Sequence, residues 1–128
     1  MVNYLIDTNV VCDYVTGTLP EKSRMCVSLI VEAGAYVSVI TKIEALSWKT
    51  PNLDYLEKTD NFLRVSEILD LTPDIVAKTI ELRRARRIKT PDAIIAATAM
   101  VHGLTLVSSD GGFCGIPHLK LLDPLAMG

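Results

Sequence analysis

The chain has 128 residues, 49% of them hydrophobic, which suits one domain over residues 1–128 with a single aliphatic core. No apolar run reaches the roughly 18 residues that a membrane span needs, so no membrane partner is expected. Thirteen basic and 15 acidic residues give a net charge of −2, which lacks the basic excess of many nucleic-acid binders and shifts the question to where the charges fall.

Residues 1–7 lack the basic region, long apolar stretch and cleavage pattern of a signal peptide. Residues 2–6 form a short apolar run that stops at Asp7 and predicts a buried strand. Thr8 and Asn9 offer capping side chains for a helix through about Val15, broken by residues 17–20. A second helix is predicted over 21–33, ending at Gly34, and the β-branched run 36–40 predicts strand two. A helix carrying Glu44 in its first turn or so follows over 41–48, and another over 53–65. Residues 67–71 predict a short strand, after which Thr72-Pro73-Asp74 starts a helix with a cap, a proline and an acid. Thr90-Pro91-Asp92 repeats that signal before the apolar helix 93–101, ended by His102-Gly103. Residues 104–108 and 119–122 predict the last two strands. Strands alternating with helices point to an α/β sandwich around a mostly parallel central sheet.

In such sheets ligands bind beyond the carboxyl ends of the strands. Asp7 follows strand one directly, Asp110 follows the run 104–108 by two residues, and Glu44 and Asp92 stand near helix starts. Four carboxylates converging on one sheet edge would repel one another. Mg²⁺ or Mn²⁺, which prefer oxygen ligands, would resolve that repulsion and suit phosphodiester hydrolysis. Taken singly, each acid has a plainer reading as a turn former, a cap or a dipole partner. The pattern alone reaches an α/β domain with an acidic site.

Four segments sharpen it: Tyr4-Leu5-Ile6-Asp7-Thr8-Asn9, Val39-Ile40-Thr41-Lys42-Ile43-Glu44, Thr90-Pro91-Asp92-Ala93-Ile94-Ile95-Ala96-Ala97-Thr98-Ala99 and Leu106-Val107-Ser108-Ser109-Asp110. In order and spacing they resemble the PIN domain, and more closely the VapC toxins of type II toxin–antitoxin systems. The resemblance implies a three-layer α/β/α sandwich and a metal-dependent endoribonuclease whose acidic cluster is Asp7, Glu44, Asp92 and Asp110. It also implies supporting hydrogen bonds from Asn9 and Ser108, a homodimer, and a small antitoxin partner. Two departures are visible. Gly112 stands before Phe113 where many relatives carry an acid or histidine, and Ser108 stands where threonine is usual.

Arg83, Arg84, Arg86, Arg87 and Lys89 gather just before Asp92, where a cationic rim could hold RNA phosphates. The alternative is a solvated helix face whose stems cover apolar neighbours. Aromatics make up only 5% of the chain, so RNA shape is expected to outweigh base stacking in any preference. His102 and His118 lie in no HExxH or nucleophile pattern and read as structural or surface residues. Cys12, Cys26 and Cys114 show no CxxC or Cys/His spacing, and are expected to be reduced, packed thiols of a cytoplasmic protein. Two rival readings remain: a non-catalytic PIN-fold module that binds RNA or protein, and a phosphoacceptor signalling domain. The second lacks its paired early acids and late strand-end lysine.

Overall fold

The computed structural model describes residues 2–127, so Met1 and Gly128, the ends of the expected 1–128 domain, lie outside the described residues. In chain order the elements are β1 (Tyr4–Ile6), α1 (Thr8–Thr16), α2 (Glu21–Glu32), β2 (Tyr36–Ser38), α3 (Val39–Leu46), α4 (Leu53–Arg64), β3 (Glu67–Leu69), α5 (Pro73–Ala85), α6 (Thr90–His102), β4 (Thr105–Val107) and β5 (Leu121–Leu122). Short 3-10 turns at Gly111–Phe113 and Pro124–Met127 complete the described residues. The five strands form one sheet in the order β3-β2-β1-β4-β5, and every pairing is parallel.

Strand alternation sorts the core into two layers. Leu5 and Leu106 face a cluster with Ile75, Leu82 and Ile95 from α5 and α6. Their neighbours Ile6 and Val107 face the other cluster, with Val10, Val27 and Phe62 from α1, α2 and α4. The sheet is therefore covered on both faces, the three-layer arrangement that parallel strands require. Helix α6 presents Ala93, Ala96, Ala97 and Ala99, all fully buried, and these small side chains let its backbone lie close to its neighbours. Gly103 ends α6 in a left-handed conformation, φ 66°, that an L side chain rarely adopts.

Several boundaries differ from expectation, each for a local reason. Strand β2 ends at Ser38, whose hydroxyl accepts the amide proton of Ile40 and so starts α3 two residues early. Glu44 consequently sits in the second turn of its helix. Asp7, rather than Thr8 or Asn9, caps α1. Helix α6 begins at Thr90 with Lys89 at the cap position and no side-chain cap. Pro91 costs little there, because amides of the first turn have no intrahelical partner. Cys12 and Cys26 are half-buried as packed thiols should be, but Cys114 is exposed in the loop after Phe113.

Candidate active site

The sheet order reverses at β1, which has β2 on one side and β4 on the other. That reversal opens a crevice at the carboxyl ends of β1 and β4. Asp7 is the first residue beyond β1 and is 4% exposed. The Thr8 amide donates to its Oδ1 at 2.8 Å and the Ser108 hydroxyl to its Oδ2 at 2.8 Å. Ser108, the first residue beyond β4, also accepts the amide of Asp110 at 3.1 Å. Asp110 in turn accepts the amide of Gly112 at 2.9 Å. Two strand ends and the following loop are thus tied through one buried serine.

Glu44 reaches the crevice from α3. The Thr8 hydroxyl lies 2.7 Å from Glu44 Oε1 and 3.0 Å from the hydroxyl of Thr41, which is fully buried. A hydroxyl has one proton, and the charged carboxylate is the stronger acceptor. Asp92 enters from the first turn of α6. Asp7, Glu44, Asp92 and Asp110 all line one cavity of about 240 Å³, with Lys89 on its rim.

Charge accumulates there. Burial pushes the Asp7 carboxyl from 3.8 up to about 6, with Asp92 and Asp110 adding to the rise and the Ser108 and Thr8 hydrogen bonds opposing it. Burial, then Asp110 and Glu44, raise Asp92 as well, and Lys89 opposes that rise. Among the described residues no three His, Cys, Asp or Glu side chains stand close enough to hold an ion as they are. The carboxylates line a cavity rather than closing a cage. The donor set still fits a hard divalent cation: every acid offers oxygen, and the mutual repulsion is what a cation would relieve.

A family model for the PIN domain matches residues 4–119. The chain belongs to the PIN-domain family. Its fold is that of solved toxin–antitoxin proteins. It is 25% identical, at a TM-score of 0.80, to a chain of VapBC2 from Rickettsia felis, solved bound to a promoter DNA fragment, covering 95% of this chain and 98% of that one. A chain of a Klebsiella pneumoniae toxin–antitoxin complex is 28% identical at a TM-score of 0.76, over 95% and 98% of the two chains. DNA-bound VapBC from Salmonella typhimurium gives a TM-score of 0.82 at 22% identity, over 97% and 99%. No curated protein was found to match.

Within this PIN domain the other expected site residues fare unevenly. Ser108 donates to Asp7 and accepts from the Asp110 amide. Asn9 lines the carboxylate cavity but is exposed, with no side-chain hydrogen bond to an acid among the described residues. The basic stretch is not one helix face: α5 ends at Ala85, so Arg83 and Arg84 are helical while Arg86, Arg87 and Lys89 lie in the link to α6. Two of the five are engaged in the fold, Arg83 Nε donating to the Ile88 carbonyl at 3.1 Å and an Arg86 terminal nitrogen to the Gly115 carbonyl at 3.0 Å. Arg84, Arg87 and Lys89 are exposed. His102 and His118 are exposed and line neither the cavity nor its rim.

Gly112 meets the cluster through its backbone; a Cβ there would lie 3.3 Å from Asp110 Oδ1. Thr8 and Thr41 are site residues that the sequence does not announce. Thr8 reads there as a cap, yet its position beside Asp7 in Asp-Thr-Asn is the available signal for a group joining two acids.

Proposed function

We propose that this chain is a Mg²⁺- or Mn²⁺-dependent endoribonuclease and the toxin of a type II toxin–antitoxin pair, working in the cytoplasm. The observation that carries the reading is the burial of Asp7 at the end of the central strand, with Glu44, Asp92 and Asp110 on the same cavity. Asp7, Asp92 and Asp110 would hold the ion. Bound there, it would polarise a phosphate and lower the pKa of an attacking water. Ser108 and Thr8 fix the Asp7 carboxylate by donating to both of its oxygens. Glu44, exposed and held through the Thr8 hydroxyl, would orient the water or join the ligand set. In-line attack would leave a 5′-phosphate and a 3′-hydroxyl. Lys89, which lines the cavity with Asp92, and the exposed Arg84 and Arg87 that precede it in the chain would draw the RNA backbone toward the acids.

The partner reading rests on the solved relatives, which are toxin–antitoxin complexes. A homodimer would cover Leu71, Val76 and Ile80, which leave apolar surface exposed on and beside α5.

Incubating the purified protein with labelled single-stranded RNA tests the activity. EDTA should abolish cleavage and Mg²⁺ or Mn²⁺ should restore it. Full activity in chelator refutes the metal mechanism, and no cleavage of any RNA in Mg²⁺ and Mn²⁺ leaves the non-catalytic binding module.

A further inference from the structure

A second cavity, about 730 Å³, opens beside the carboxylates and shares Thr8 and Glu44 with their site. One wall of it is aromatic. Trp48, two residues beyond the end of α3, is 54% exposed, although an indole is among the largest apolar surfaces a fold can bury. Its ring meets Tyr55 edge to face, with centroids 4.6 Å apart and planes at 89°. Tyr55 is a rigid support: it is 2% exposed, donates its hydroxyl proton to the Ala45 carbonyl at 3.0 Å, and lies 3.3 Å from the Cys12 sulfur. A perpendicular pair leaves at least one indole face uncovered by its partner.

The cavity's charge selects what can enter. Asp13 lines it with Glu44, and the only hydrogen bond to its carboxylate among the described residues is a long one, 3.3 Å, from the Thr18 hydroxyl. Two carboxylates repel a phosphate and accept from N–H donors, and an unpaired nucleobase carries such donors on its Watson–Crick edge together with a flat face for Trp48. The wall shared with the acid site sets the distance, since a base is joined to its own phosphate by one sugar.

We propose that this cavity is a nucleobase subsite, in which Trp48 stacks one unpaired base of the strand being cut and Asp13 accepts N–H groups from that base. The inference rests on the endoribonuclease reading and narrows it to single-stranded RNA, because a base within a duplex cannot reach the indole. Scarce aromatics make base stacking look minor in the sequence; the fold places the one tryptophan beside the acids.

That single tryptophan makes the test direct, because indole emission reports this position alone. The protein is titrated with a short single-stranded oligoribonucleotide of mixed sequence, with Ca²⁺ replacing Mg²⁺ so that looser coordination slows hydrolysis. Emission should fall saturably, in step with binding followed by anisotropy of a labelled strand. An abasic oligomer of equal length should leave emission unchanged. Trp48→Phe keeps a stacking face and should bind nearly as the wild type does. Trp48→Leu keeps apolar bulk without that face and should bind roughly 5- to 150-fold more weakly. Asp13→Asn should alter the ranking of the four homo-oligomers. The subsite is overturned if RNA binds and is cut normally by Trp48→Leu, or if the abasic strand quenches equally. It is also overturned if only an oligo-arginine peptide quenches, which would assign the cavity to a protein partner's cation. An unchanged base ranking in Asp13→Asn removes the carboxylate from the proposal. In those cases the nuclease reading stands. Failure of the wild type to cut any RNA in Mg²⁺ and Mn²⁺ removes both.

Discussion

Asp7→Asn separates a functional acid from a structural one. The native carboxyl titrates at about 6 against 3.8, chiefly because it is buried. The folded protein therefore holds this proton more tightly than the unfolded chain does. Stability falls as pH rises through that window, and the loss is complete above it. Two units at 1.36 kcal/mol each put the upper limit of the penalty at about 3 kcal/mol. Asparagine removes the charge, and its Oδ1 can still accept from the Thr8 amide. Its NH₂ must then face the Ser108 hydroxyl, which has to accept where it had donated, at a cost of about 1 kcal/mol. Metal-free Asp7→Asn should therefore be more stable than wild type near neutral pH by about 1–2 kcal/mol, or roughly 4–8 °C in melting temperature. The gap should close and then reverse as pH falls below about 4, where wild-type Asp7 is protonated in the fold and only the Ser108 cost of about 1 kcal/mol remains to the variant. Excess Mg²⁺ should raise the wild-type melting temperature and leave the variant's nearly unchanged. Circular-dichroism melts in EDTA across the acid-to-neutral range, repeated with Mg²⁺, give the comparison. If the variant melts below wild type in EDTA at neutral pH, the charged carboxylate is a net stabilising cap and the reasoning fails.

Further predictions concern Ser108 and the basic stretch. Ser108→Ala removes the hydroxyl that donates to Asp7 and accepts from the Asp110 amide, and should weaken Mn²⁺ binding roughly 10- to 100-fold in calorimetry, with Ser108→Thr restoring most of it. Arg84→Ala combined with Arg87→Ala should flatten the salt dependence of RNA affinity by about 0.7 for each phosphate no longer neutralised. Arg86→Ala, whose side chain donates to the Gly115 carbonyl, should leave that slope unchanged and loosen the loop after Asp110 in hydrogen exchange. A fall in slope for Arg86→Ala equal to that of the pair would return Arg86 to the RNA surface.

The fold class is legible in the sequence because its signals are local. Apolar runs stop at Asp7 and Ser108, and Thr72-Pro73 and Thr90-Pro91 announce α5 and α6. Three of the acids can be placed at one sheet edge from topology alone, since Asp7 and Asp110 follow strands and Asp92 opens a helix; Glu44 reaches that edge from the second turn of α3. Ends of elements are harder to see. Val39 and Ile40 look like strand, but Ser38 turns the chain into α3 and packs Ile40 against the α6 layer. Contacts between distant positions leave no local trace. Nothing in residues 83–89 shows that Arg86 reaches Gly115, 29 residues away. Nothing around residue 48 shows that Trp48 stands beside Glu44 and Asp13, because α1, α3 and α4 must pack before that cavity exists.

The net charge of −2 is equally uninformative, because it averages over a surface on which the charges are sorted. Sorting follows from the sheet. β1 lies at its centre, so Leu5 and Ile6 each fill one of the two cores and the next residue emerges between the layers. Asp7 cannot turn to water there without losing the Thr8 and Ser108 hydrogen bonds, so its charge is fixed in place. Glu44 and Asp110 are exposed and Asp92 is half-buried, so these three can adjust. One immobile acid surrounded by adjustable ones suits a cation, since the others can shift to complete its oxygen ligands. Burial, with the neighbouring acids adding to it, raises the pKa values of the two more buried acids, Asp7 and Asp92. Repulsion held in the open cavity is the physical basis for expecting Mg²⁺ to stabilise the wild-type fold, and to do so mainly through Asp7.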